Sequence, residues 1–409
     1  MKHLNFIVVG CGNRGSSLTS DVVIGLDEVT VIGLCDHYKD KAETLAGKIN
    51  EKAGYTPEVF TDHNEMFAAM KGKADAVLVS CSWEGHVAVA CDAMKAGIAV
   101  AMEVGGAQSE EECWKLVDTY EATKTPFMFL ENCCFDRDEM LATAVARRGI
   151  FGRIMYAHGA YSHDIRDEVG YGKQNRHYRL YHYLNRNCEN YPTHELGPIA
   201  KVLGINRGNR MVSLVSMASA AAGMHQYILN EQPNLDHLLD AEFKQGDVVD
   251  TLIKCEDGAM ISLRLDTTLP GYYSREFTLK GTRGMFNHDT NTAMVDGQPK
   301  ELKHKDNAYE AYYDFLPPIW KNVTPEILQK GHGGMDYFQF EQFCADLREG
   351  RDMTIDVYDA AAWMAVTYLS EKSIAEGSIP VAVPDFTRGA YKTRPTYDVT
   401  DLGLDKDKT

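Results

Sequence analysis

The chain has 409 residues, more than the roughly 250–300 over which one hydrophobic core keeps growing, so two domains are expected. Hydrophobic residues make up 44% and charged residues 25% of an ordinary globular composition. The net charge of −17 speaks against nucleic acid or an anionic membrane as partner, since both recruit a basic face.

No run approaches the ~20 apolar residues of a membrane span. Met1 to His3 lead straight into a strand-like run and not into an apolar signal core, so a cytoplasmic protein is expected. Ten cysteines are scattered through apolar segments. No Cys-x-x-Cys spacing occurs among them, so they read as buried, reduced thiols and not as disulfide or zinc ligands.

In chain order, strand-like runs fall at 4–10, 29–36, 75–81, 98–104 and 127–133. Helix-period segments lie between them, for example at 39–54 and 109–124, the latter opening with Ser109 and Glu112 in capping-box spacing. Strands alternating with helices predict a doubly wound parallel sheet over residues 1–133. After that the rhythm changes to polar loops and alternating strands, with turn dipeptides at Asp257-Gly258 and Asp296-Gly297. Residues 134–384 are therefore expected to form a second, α+β domain on a large, mostly antiparallel sheet. A helix near 356–377 should close it, and 385–409 should form a tail. The open face of such a sheet is a surface for homo-oligomer formation.

Gly10, Gly12 and Gly15 stand in G-x-G-x-x-G spacing after the first strand and at the opening of a helix. These glycines allow a tight turn and close approach of backbone to pyrophosphate, with the helix N-terminus facing the phosphate charge. Asp36 ends the second strand, 21 residues past Gly15, where a carboxylate accepts from a ribose 2′-hydroxyl and repels a 2′-phosphate. NAD is the expected cofactor. A glycine turn that holds no nucleotide is the alternative.

A dinucleotide fold followed by an antiparallel sheet resembles the Gfo/Idh/MocA oxidoreductases, which usually carry Glu-Lys-Pro at the end of the fifth strand. Here the stretch is "AMEVGGAQ": Glu103 is kept, and Val104 stands where the catalytic lysine would be. Valine moves no proton. The motifs "GNRG", "SWEGH", "EVGGA", "LENCC", "GAYSHDIR", "YRLYH", "NRNCENYPTHELGP", "YYSR" and "GHGGMD" resemble, in order, those of the NAD-dependent glycoside hydrolases of family 109, the alpha-N-acetylgalactosaminidase-like enzymes.

That resemblance implies NAD contacts from Asn13, Arg14, Asp36, Trp83, His86, Glu103, Val104, Asn132 and Tyr191. It implies sugar contacts from Tyr161, Arg179, Tyr273 and the turn 191–194, with Thr193 and His194. The chain departs from the family in carrying Glu195 where a glycine is common, Gly105-Gly106 where Ala-Ala is common, and no export signal. The implied reaction oxidises a sugar carbon, C3, to a ketone. The C2 proton is thereby acidified, the aglycone is eliminated, water adds and the hydride returns. NAD is then tightly bound and recycled, and the substrate is a small glycoside.

The stretch Asn185 to Lys201 is too irregular for an amphipathic helix and too polar for a buried strand, so it reads as a kinked wall of a cleft. His194 is the first choice for proton transfer, because imidazole gives and takes protons near neutrality; a hydrogen-bonded core histidine is the alternative. Tyr191 contacts the nicotinamide side or packs as an apolar ring. Tyr161 is a substrate-side group and candidate base. His163 is a catalytic candidate beside it, or serves with Asp164 to cap a turn. Arg179 offers a planar fork to sugar hydroxyls, or makes a surface ion pair. Either Tyr272 or Tyr273 faces the site, and His332 contacts substrate or merely sits in a glycine turn. Trp83 stacks on the dinucleotide or covers the sheet edge.

The pairs His158/His163 and His177/His182 are five residues apart and miss the spacing of a helical zinc pair, so no metal is expected. Two other functions stay open: a sugar or glycoside 3-dehydrogenase that exchanges NAD, and a nucleotide-responsive regulator without catalysis.

Overall fold

The structure is a computed structural model that describes residues 1–298 and 308–404. The chain forms two compact units. The first is built from Met1–Asp136, Pro318–Ala361 and Tyr397–Thr400; the second is built from the described residues within Arg137–Pro317, Ala362–Thr396 and Asp401–Thr409. The expected boundary at 133 therefore follows chain order but not compactness, because Pro318–Ala361 belongs with the N-terminal residues.

In the first unit a six-stranded parallel sheet has the order β3-β2-β1-β4-β5-β6. Its strands are β1 (Leu4–Val9), β2 (Val29–Cys35), β3 (Glu58–Phe60), β4 (Ala76–Val79), β5 (Ala99–Glu103) and β6 (Phe127–Leu130). β1, β4, β5 and β6 are buried almost throughout, because strands covered on both faces read as near-continuous apolar runs. β3 has no counterpart in the sequence reading: at three residues, one of them exposed, it is too short to show a period. Strand order reverses between β1 and β4, the place where open α/β sheets bind ligands. The helix Met335–Glu349 buries Phe340 and Phe343 against this unit, with the Phe343 ring edge-on to Phe6 at 5.9 Å. Ser109 caps its helix by accepting from Glu112 N, while the Glu112 carboxylate reaches Gln108 N, one residue short of a full capping box.

The second unit carries an eight-stranded sheet of order β13-β12-β11-β7-β10-β9-β8-β14. These strands are β7 (Ile154–Ser162), β8 (Met211–Ala218), β9 (Val248–Cys255), β10 (Met260–Asp266), β11 (Thr278–Gly281), β12 (Gly284–Asn287), β13 (Thr292–Val295) and β14 (Val381–Ala382). Every pairing is antiparallel except β10 with β7. β9 alternates buried and exposed residues, as expected of a sheet packed on one face only. Asp257-Gly258 turns β9 into β10, with Gly258 at φ +92.

The segment expected to be irregular is corrected here: Thr193–Leu203 is a helix with Pro198 inside it. Its buried face runs from Thr193 through Val202, and that packing outweighs the hydrogen bond the proline removes. Asn185 to Tyr191 remain outside it. The helix near 356–377 is present as Val357–Ala375. The expected tail is packed where it is described, burying Phe386, Tyr391, Val399 and Leu402. No helix among the described residues is long and apolar enough to cross a membrane.

Candidate active site

In the first unit β1 ends at Val9 and the chain turns at Gly10, whose φ is +98. A β-carbon there would stand 2.3 Å from Cys81 N, and one at Gly15 would stand 2.0 Å from Gly10 O. The turn and the helix Asn13–Ser17 thus close on each other only through glycine. At Gly12 a β-carbon would meet nothing nearer than Lys41 Nζ at 4.0 Å, so open space remains in front of the helix N-terminus. Asp36 accepts from Cys11 N at 2.7 Å and from Tyr38 N at 2.8 Å, which fixes its carboxylate at the end of β2 beside this space. An open glycine before free helical N–H groups, with a carboxylate at the neighbouring strand end, fits a dinucleotide.

Two loops brace the cradle. Trp83 is buried at the start of the helix Trp83–Lys95, and a β-carbon at Gly105 would land 2.4 Å from its indole Nε1. His86 is buried with its ring nitrogens 3.2 Å from Gly105 O and 3.0 Å from Cys81 O, and burial pushes its pKa down. The glycine pair is thus what lets Trp83 and His86 pack onto the turn after β5. Val104 is buried and offers no proton.

Glu103, Arg14 and Asn132 meet in one network. Arg14 Nη2 lies 3.0 Å from Glu103 Oε1. The same guanidinium donates to both carboxylate oxygens of Asp336 at 2.8 Å. Asn132 Nδ2 donates to Asp336 Oδ1 at 2.8 Å, and His332 Nδ1 lies 2.9 Å from Oδ2. Burial would raise the Asp336 carboxyl, but the hydrogen bonds from Arg14 and His332 override it and hold the group well below the usual carboxylate range.

In the second unit the C-terminal end of β7 and the first turn of the helix Thr193–Leu203 carry an aromatic cluster. Tyr161 Oη lies 3.0 Å from His163 Nδ1, and the Tyr161 ring packs on Tyr191 with centroids 4.5 Å apart. His194 meets both tyrosines edge-on, at 5.7 Å from Tyr161 and 4.7 Å from Tyr191, with its Nε2 3.5 Å from Tyr191 Oη. Burial, and then the Arg179 cation, push the His163 pKa down. Thr193, next to His194 in the chain, is buried.

Arg179 is only 8% exposed, so it is no surface residue. It pairs with Glu168 Oε1 at 2.7 Å and lies over the Tyr191 ring at 4.9 Å. Of the adjacent tyrosines, Tyr273 is the one that faces the cluster. Its ring meets His163 at 5.1 Å and Tyr161 at 6.4 Å, and Arg275 Nη1 donates to its hydroxyl at 3.1 Å. Tyr272 is 79% exposed. Asp164 accepts from the Arg166 guanidinium and from its backbone N–H, capping that turn and making no hydrogen bond to His163.

The structure thus brings Tyr161, His163, Tyr191, His194, Arg179 and Tyr273 into one constellation, and Arg14, Glu103 and Asn132 into another. Sequence reasoning missed Asp336 and Glu168. Asp336 closes a quoted motif, at a helix start, and was legible there; Glu168 carries no local signal. None of the ten cysteines is in a disulfide, and burial pushes Cys81 up to about 12.

A family model described as "Glycosyl hydrolase 109, C-terminal domain" matches residues 135–393, and one described as "Oxidoreductase family, NAD-binding Rossmann fold" matches 4–130. The chain is similar to an alpha-N-acetylgalactosaminidase of Tannerella forsythia, at 35% identity over 95% of this chain and 87% of that protein. It is 37% identical to a glycosyl hydrolase family 109 protein of Solibacter usitatus (strain Ellin6076), over 95% of this chain and 89% of that one.

Among solved structures, it shares its fold with myo-inositol 2-dehydrogenase of Lactobacillus plantarum, with a TM-score of 0.67 at 14% identity, over 94% of this chain and 100% of that one. It does so too with scyllo-inositol dehydrogenase of Lactobacillus casei, solved with NAD(H) and scyllo-inositol, with a TM-score of 0.65 at 14% identity, over 93% of this chain and 99% of that one. With the glycine cradle, the strand-end carboxylate and both halves of the chain matched, this protein belongs to glycosyl hydrolase family 109, the NAD-dependent enzymes built on the Gfo/Idh/MocA fold.

Proposed function

We propose that the protein is a redox-neutral glycosidase that cleaves small glycosides, with N-acetylgalactosaminides the first to try, given the name borne by the Tannerella forsythia relative. The observation that carries this reading is the contact between Tyr161 Oη and His163 Nδ1 at 3.0 Å. It supports reading these two side chains as an acid–base pair, in a chain whose Val104 occupies the usual lysine position.

When bound, NAD supplies the chemistry of taking a hydride from a sugar carbon and returning it. Gly10, Gly12, Asn13, Arg14, Gly15, Asp36, Trp83, His86, Glu103, Val104 and Asn132 are the residues proposed to hold it. The other steps belong to side chains. Held neutral by burial and by Arg179, His163 in its Nε2–H tautomer accepts the phenol proton of Tyr161. Tyr161 in turn takes a proton from the substrate carbon or hydroxyl. His194 is the second proton carrier, serving the leaving oxygen and then the incoming water. Arg179, fixed by Glu168, orients hydroxyls or an acyl carbonyl through its donor fork, and Tyr273 with Thr193 completes the sugar contacts. Direct hydrolysis by two carboxylates is a different design, and among the described residues this constellation is built on tyrosines and histidines.

We also place the protein in the cytoplasm, a reading supported by ten cysteines outside any disulfide. Self-association would use the open sheet face, where pairing register puts exposed Met217, Leu252 and Met260 on one side.

The test incubates the purified protein with a panel of nitrophenyl glycosides and no added NAD. Aglycone release at constant NADH absorbance is the expected result. In a parallel incubation with NAD added, NADH accumulating one-for-one with substrate, without bond cleavage, would make it a sugar or glycoside 3-dehydrogenase.

A further inference from the structure

We infer that Asp336 is a positioning residue of the cofactor site, holding the Arg14 guanidinium and the Asn132 carboxamide in the orientations with which they meet the dinucleotide. This rests on the assignment of Arg14 and Asn132 to NAD.

A carboxylate has about four lone-pair sites. At Asp336 four contacts take them up: two N–H groups of Arg14, one of Asn132 and the His332 ring, at 2.8, 2.8, 2.8 and 2.9 Å. The residue is 0% exposed. Burying a carboxylate costs several kcal/mol unless such donors compensate it, so the network is satisfied as a whole and loses as a whole. An acidic residue in a first helical turn is ordinarily a solvated partner of the helix dipole. This one points inward and caps nothing: the N-cap Gly334 has no side-chain cap.

The loop before it is bent around the carboxylate. A β-carbon at Gly331 would stand 2.3 Å from Asp336 Oδ2, and His332 holds a left-handed φ of +46. A non-glycine residue in that region is strained and persists only where its surroundings over-determine it. Arginine is among the side chains with most rotamer freedom to lose. With Asp336 on one edge and Glu103 at Nη2, that loss is met before any cofactor arrives.

The experiment compares wild type, Arg14→Gln, Asp336→Asn and the double variant, using NAD itself as the probe. NAD retained per chain after exhaustive dialysis is measured, and the dissociation constant follows from fluorescence titration of the dialysed protein. Each single change should weaken NAD by about tenfold or more, the worth of a charge-assisted hydrogen bond left unmade. The double variant should be weaker than Arg14→Gln alone by clearly less than the product of the two single losses, because Asp336 acts through Arg14 and, beyond it, only through Asn132.

A merely structural aspartate would lower the melting temperature but leave NAD affinity intact, or would multiply with Arg14→Gln; either result overturns the inference. Wild-type affinity in Arg14→Gln would instead sink the assignment of Arg14 to NAD, and the inference with it. Should Asp336→Asn not fold, Gly331→Ala keeps the charge and displaces the carboxylate. It is expected to weaken NAD in the same direction, and unchanged binding counts against the proposal.

Discussion

Gly159 of β7 and Glu195 in the helix Thr193–Leu203 touch so closely that a β-carbon on the glycine would stand 2.7 Å from that of Glu195. The helix is seated on the sheet at a position without a side chain, and this seat brings His194 edge-on to Tyr161, two residues further along β7. Gly159→Ala must push the helix outward. We expect a loss of about 1–3 kcal/mol in stability, typical of overpacking, together with a fall in kcat. Chemical denaturation and steady-state assay check both. An alanine variant as stable and active as wild type would show that the seat is not tight.

His163 has its pKa pushed down, so between the folded and unfolded values the unfolded chain binds more protons than the native one. Its contribution to stability is therefore full above the ordinary value of about 6.5 and is lost as pH falls through the lower folded value. The same neutral imidazole is the proton acceptor for Tyr161. The acid limb of kcat/KM should accordingly lie below pH ~6.5, and His163→Gln should remove that limb along with most of the activity. An acid limb unchanged in His163→Gln would assign it to another group.

Tyr161→Phe keeps the ring packed on Tyr191 and removes only the hydroxyl that His163 faces. General acid–base catalysis is worth roughly 10²–10⁴ in rate. A fall in kcat of that size with NAD content unchanged is expected, and a loss under tenfold would move the base elsewhere.

Glu168 holds Arg179 at 2.7 Å, and a neutral amide removes that charge from beside the guanidinium. Glu168→Gln should raise KM several-fold while leaving kcat within about twofold, because the interaction serves substrate orientation before reaction. Equal losses in both constants would instead place Arg179 in the transition state.

Gly105 combines a φ of +78 with an indole where its β-carbon would go. Gly105→Ala is expected to cost about 2 kcal/mol, the sum of backbone strain and overpacking. Adding Trp83→Phe should recover the steric part and leave the backbone part, a non-additivity that thermal melts of the four proteins can read.

By itself the sequence determined the periodic and the local. The parallel sheet is legible because strands buried on both faces are apolar throughout, and Gly10, Gly12, Gly15 and Asp36 are legible because a phosphate turn needs fixed spacing. Tyr161, Arg179, Tyr191, His194 and Tyr273 were singled out through a family resemblance carried by short motifs, and the fold brings them together.

What only the tertiary structure decided lies between segments remote in sequence. The helix at Thr193 was hidden because its packing comes from β7, and the proline and polar residues mask the period. Tyr273 could be told from Tyr272 only by its contacts with Tyr161 and His163. Asp336 joins Arg14 across 322 positions and Asn132 across 204, a convergence that no spacing rule encodes. Pro318–Ala361 belongs with the N-terminal residues because its apolar face, Phe343 against Phe6, finds its complement there. Burial is a property of the folded whole, and a one-dimensional pattern records only the half of each contact that its own segment contributes.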